Sequence, residues 1–70
     1  MTFGENLRLL RTRMKLTQKD MSLALCISHQ SISKWEKDIS VPNIQYCVPL
    51  TKVLKCTLDE LFQTKTTSKN

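Results

Sequence analysis

Apolar residues recur along the chain at three- and four-residue spacings, the period of helices with one buried face. Phe3, Leu7, Leu10 and Met14 form the first stripe. Thr2 and Glu5 stand ahead of it at capping-box spacing, which predicts a helix from about Gly4 to Arg13. Thr17 with Asp20 is a second start signal, and Met21 and Leu25 give that short helix an inward face. Ser28 opens a third helix after a Cys26-Ile27 turn, and Asp38 to Asn43 reads as a loop. Beyond it Ile44, Cys47, Val48, Thr51 and Leu54 share the face of a fourth helix, which Pro49 is expected to kink or delay. Thr57 and Glu60 form a further capping box, opening a last turn or two through Leu58, Leu61 and Phe62. From Thr64 onward only Thr, Lys, Ser and Asn occur, a composition expected to stay disordered. Gly4 is the only glycine and Pro42 and Pro49 the only prolines, too little punctuation for hairpins. The expectation is an all-α, five-helix domain over residues 1–63 with a basic tail over 64–70.

Composition narrows the function classes. Seventy residues, 40% of them hydrophobic, make one small domain with little stability to spare for a deep substrate cavity. One His, no Gly-rich phosphate loop and no Ser-His-acid set add nothing that could do chemistry, so an enzyme is not expected. The net charge of +5 favours an anionic partner, although without Lys65 and Lys69 nine cations face six anions. Cys26, Cys47 and Cys56 include no C-x-x-C pair, so neither a disulfide framework nor a zinc cage is expected, and no cofactor. With no membrane-length apolar run and no signal-peptide pattern, the expected setting is the cytoplasm, away from membranes.

On a wheel of about 100° per residue, His29, Gln30, Ser33, Lys34 and Lys37 fall within one arc of roughly 140°. Ile32 and Trp35 lie opposite, with Glu36 at the edge of their face. An amphipathic helix with a solvated outer side would have the same pattern. This outer face, however, lacks the acidic partners that solvated helices often carry, and its members can donate hydrogen bonds to base edges or phosphates.

Residues 18–37 hold a short helix, a tight turn and a second helix, with Met21, Leu25, Ile27, Ile32 and Trp35 inward, which is helix-turn-helix spacing. The segment LTQKDMSLALCISHQSISKWEKDISVP, followed by TLDELF, resembles the phage-repressor and Cro-like (XRE-type) family from Phe3 to Phe62. That resemblance implies a lambda-repressor-like fold and sequence-specific binding to a double-stranded DNA operator, an inverted repeat, by a homodimer. It places His29, Gln30, Ser33 and Lys34 at base-reading positions and Ser28, Lys37 and Ser40 at backbone contacts. It also gives Gln18 a phosphate to meet and helix three to brace. Arg11 and Glu36 match a structural salt bridge that orients the recognition helix. Three positions depart from the pattern: Cys26 stands at a usual turn glycine, Ser22 at a usual alanine, and Asp38 at a usual loop glycine. Cys26 then needs a strained or an adjusted turn, because a Cβ makes the left-handed region costly, and Asp38 tolerates that region better.

For assembly, Leu50 and Val53 lie off the Ile44, Val48 and Thr51 stripe, and Leu58, Leu61 and Phe62 exceed what a short helix needs internally. A two-fold dimer through these five residues is therefore expected. The competing reading is an antitoxin-like or regulatory protein-interaction module, which a gel shift on random DNA separates from a DNA-binding regulator.

Overall fold

Capping geometry decides where the helices begin. The structure, a computed structural model, describes residues 1–63 as helices α1 (Phe3–Arg13), α2 (Gln18–Leu25), α3 (His29–Glu36), α4 (Ile44–Leu54) and α5 (Leu58–Leu61). The expected tail, 64–70, lies outside the described residues. At Thr2 the hydroxyl accepts from the Glu5 amide at 3.1 Å while the Glu5 carboxylate accepts from the Thr2 amide at 2.9 Å. The same reciprocal pair joins Thr17 to Asp20 and Thr57 to Glu60. At Asp20 the bond from the Thr17 amide holds the carboxyl below its ordinary value. Ser28 caps α3, accepting from the Ser31 amide at 3.4 Å.

The helix ends share a second device. Lys15, Cys26, Asp38 and Lys55 follow α1 to α4 with φ of 60°, 57°, 61° and 53°, all left-handed. The amide beyond each reaches back five residues: Leu16 to Arg11, Ile27 to Ser22, Ile39 to Lys34 and Cys56 to Thr51, at 2.9 to 3.1 Å. These are Schellman closures, usually built on glycine, because a Cβ in this region costs roughly 1 to 2 kcal/mol. Of the two turns open to Cys26, strained or adjusted, the chain takes the left-handed, strained one. The single glycine serves elsewhere. A Cβ on Gly4 would lie 2.4 Å from the Glu36 carbonyl oxygen and 2.6 Å from that of Trp35, so α1 and α3 meet backbone to backbone.

α3 packs on α1 and α2, α4 on α2 and α5, and α5 on α1. Between them lie Leu7, Leu10, Met21, Leu25, Ile32, Trp35, Leu50, Leu54 and Leu61, all buried. Ser22 is buried too, its hydroxyl donating to the Lys19 carbonyl at 2.7 Å. Buried Asn6 latches the far end of the chain, donating to the carbonyls of Glu60 at 2.7 Å and Leu61 at 2.9 Å. Beside it the rings of Phe3 and Phe62 stack at 5.4 Å.

α4 departs from expectation in two ways. It begins at Ile44 with no delay and stays helical through Pro49, whose missing donor and ring fall on the carbonyl of exposed Gln45. It is also rotated. Cys47, Leu50 and Leu54 face inward, with Tyr46 and Val53 at the core edge, whereas Ile44 is 88% and Val48 50% exposed. Apolar residues surround most of this helix, so two stripes satisfy the helical period. The stripe facing α2 and α5 is the one buried. Leu50 and Leu61, expected at a dimer interface, are therefore fully buried in the chain's own core, and Val53 is half-buried. Leu58 and Phe62 are each 47% exposed and instead border an open groove of about 500 Å³ with Pro42, Ile44, Cys47 and Val48.

Candidate nucleic-acid interface

α3 is amphipathic in the sense that its sequence implies. Ile32 and Trp35 are buried, and the Trp35 ring lies 5.8 Å from that of Tyr46. His29, Gln30 and Lys34 are exposed on the outer face with Ser33 half-buried beside them. Lys37 caps the C-terminus of α3 in the open, and exposed Ser40 follows in the loop, its amide 3.5 Å from the Lys34 carbonyl. The Ser28 hydroxyl accepts one bond as a cap and keeps its own hydrogen free to donate.

Much of what holds this face in place converges on one carboxylate. Arg11 donates from Nε to Glu36 Oε2 at 2.6 Å and from Nη2 to Oε1 at 3.1 Å, a two-pronged pair. Gln18 adds a third donor, Nε2 to Oε1 at 3.1 Å, so Glu36 ties α1, α2 and α3 at one point. Arg11 also donates from Nη1 to the Leu16 carbonyl at 2.8 Å, closing the α1–α2 turn. The side chains of Arg11 and Glu36 are only 12% and 4% exposed, so water screens the pair little.

A second carboxylate grips α3 nearby, and sequence reasoning missed it. Asp38 Oδ2 accepts from the Thr2 hydroxyl at 2.6 Å and Oδ1 from the Gly4 amide at 2.9 Å. The signal available was the lone glycine. Nothing in a helix's first turn calls for glycine, so its presence there marks a close approach.

The helix-turn-helix family pattern matches residues 7–61. The chain belongs to the helix-turn-helix family. Its helix-turn-helix is α2 and α3 joined through Cys26, Ile27 and Ser28. Similar chains include the HTH-type transcriptional regulator DicA of Escherichia coli (strain K12), 43% identical over 80% of this chain and 42% of that protein. The HTH-type transcriptional activator BcrR of Enterococcus faecalis is 39% identical over 89% of this chain and 30% of its own length. Repressor protein C2 of Salmonella phage P22 is 32% identical over 86% and 28%. The chain thus spans less than half the length of these relatives. The crystal structure of the P22 c2 repressor protein in complex with synthetic operator 9T superposes with a TM-score of 0.84. It is 29% identical, covering 93% of this chain and 98% of that one. The all-helical, lambda-repressor-like architecture is therefore shared with a solved member of the family.

Proposed function

We propose that this chain is a sequence-specific, double-stranded DNA-binding transcriptional regulator, a repressor, that inserts α3 into the major groove and has no catalytic role. The observation carrying this reading is the exposed row of donors His29, Gln30 and Lys34 on a helix whose base is held by a buried ion pair. Gln30 can bond an adenine edge with both amide atoms, Lys34 can reach guanine acceptors, and His29 and Ser33 can read either edge. Gln18, Ser28, Lys37 and Ser40 contact phosphates. Ser28 has its hydroxyl hydrogen to offer, and Gln18 the second hydrogen of an amide already anchored on Glu36.

The partner across the two-fold axis is a second copy, docked through the exposed Ile44, Val48, Leu58 and Phe62 beside the groove. Half-sites of the inverted repeat then lie about 34 Å apart, one turn of duplex. The protein works in the cytoplasm, where its operator is. Among the described residues no helix is long and apolar enough to cross a membrane.

Selection of bound sequences from a random DNA pool tests the reading. On the selected site Gln30→Ala or Lys34→Ala should lose about 1 to 3 kcal/mol with little change on random DNA, whereas Lys37→Ala should weaken both alike. Equal losses on both DNAs for Gln30→Ala would remove it from base reading.

A further inference from the structure

Asp38 does more than close α3. Both carboxylate oxygens are engaged across 34 and 36 residues of chain, with the Gly4 amide and the Thr2 hydroxyl. Gly4 lies in the first turn of α1, where amides lack partners within the helix, and the Thr2 hydroxyl already accepts from the Glu5 amide. The α1 N-terminus is thus capped jointly, by its own Thr2 and by a carboxylate from the end of α3. The two backbones touch at this point. The space where a Gly4 Cβ would stand is taken by the carbonyls of Trp35 and Glu36, so the negative end of the α3 dipole abuts the positive end of α1. Asp38 also holds its left-handed φ of 61° between Lys37 and Ser40, the two proposed phosphate contacts on this side.

We propose that Asp38 is a positioning residue for DNA reading: its clasp on Thr2 and Gly4 sets the tilt of α3 on α1 and the height of the Lys37–Ser40 loop above the phosphates. This rests on the DNA-binding reading. Glu36 fixes α3 to the last turn of α1 and to α2, and Asp38 fixes it to the start of α1. Two attachments to one rigid helix remove the pivot that a single attachment leaves.

Asp38→Gly separates this role from a backbone one, because glycine accepts the left-handed turn with less strain than aspartate yet offers no carboxylate. The expected result is a folded protein whose affinity for the selected operator falls roughly tenfold, on the scale of one or two lost charge-assisted hydrogen bonds. Its affinity for random DNA should fall by a smaller factor, because the Lys37–Ser40 phosphate contacts serve both DNAs whereas the tilt of α3 matters only where bases are read. Thr2→Val should act in the same direction, and Asp38→Asn, which keeps an acceptor for the Gly4 amide, should recover much of the loss. Residual dipolar couplings of the free protein should report a changed α1–α3 angle in Asp38→Gly. Unchanged couplings, or an Asp38→Gly variant as selective as the parent, would overturn the proposal. A parent chain that selects no sequence would instead defeat the DNA reading, and the couplings would still decide whether Asp38 orients α3.

Discussion

The contact between α1 and α3 and the face formed by α4 with α5 are built in opposite ways. At the first, two backbones touch at a glycine, and two carboxylates, Glu36 and Asp38, take up the donors around them at 2.6 to 3.1 Å. At the second, Ile44, Val48, Leu58 and Phe62 surround an open groove with about half or more of each side chain exposed. Hydrogen bonds fix direction as well as distance, whereas apolar contact is non-directional and scales with area. The chain places directional contacts around the base of α3 and leaves non-directional surface on the face where the proposed second copy docks.

The comparison breaks hardest at Glu36. Glu36→Ala strands a nearly buried guanidinium, so stability should fall by about 3 to 5 kcal/mol. Adding Arg11→Ala should recover part of that, and strictly additive losses in a urea-denaturation cycle would show that the two do not act as a pair.

Gly4→Ala comes next. Helix propensity alone predicts a gain of roughly 0.5 to 1 kcal/mol, but the new Cβ meets two backbone carbonyls and should destabilise by about 1 to 3 kcal/mol. A raised melting midpoint would mean that α1 and α3 can part without penalty.

On the other face, Val48→Glu should change folding stability by no more than about 0.5 kcal/mol, as expected of an exposed site. Sedimentation should nevertheless find it monomeric at concentrations where the parent is a dimer. A dimer that survives both Val48→Glu and Ile44→Glu would place the interface elsewhere. The smallest effect should be a gain. Lys55→Gly relieves a left-handed lysine in the α4–α5 turn, outside the groove, and should stabilise by up to about 1 kcal/mol, a rise of some 4 to 8 °C in melting midpoint for a domain this size.

The chain's local signals carried most of the fold. Thr2, Thr17 and Thr57, each followed by an acidic residue three positions on, mark helix starts that the structure keeps. The polar arc of α3 stood out because it contrasts with Ile32 and Trp35. α4 was harder for the opposite reason. With apolar residues on nearly every side, its period fits two stripes, and only the position of α2 and α5 selects between them. The pattern therefore sends Leu50 outward, whereas Leu61 is misplaced for another cause: a short helix shows little internal need for apolar residues until α1 and α4 are packed against it. The Asp38 clasp was hidden differently. Its partners lie 34 and 36 residues away, and an aspartate at the end of a helix suggests a turn before it suggests a cap for a distant helix.

The Asn6 latch also bears on the order of folding. Its two bonds, with the Phe3–Phe62 stack beside them, bring the two ends of the described chain together across 54 to 59 residues of separation. A four-residue helix has no standing of its own in water, since forming the first turn costs more than one turn returns. α5 therefore depends on α1 and α4 to hold it, and its docking on α1 turns an open chain into a closed ring. The loop-closure entropy of that ring grows only with the logarithm of its length. Among the described residues, the last and shortest helix thus closes the largest loop on two carbonyls and one buried leucine.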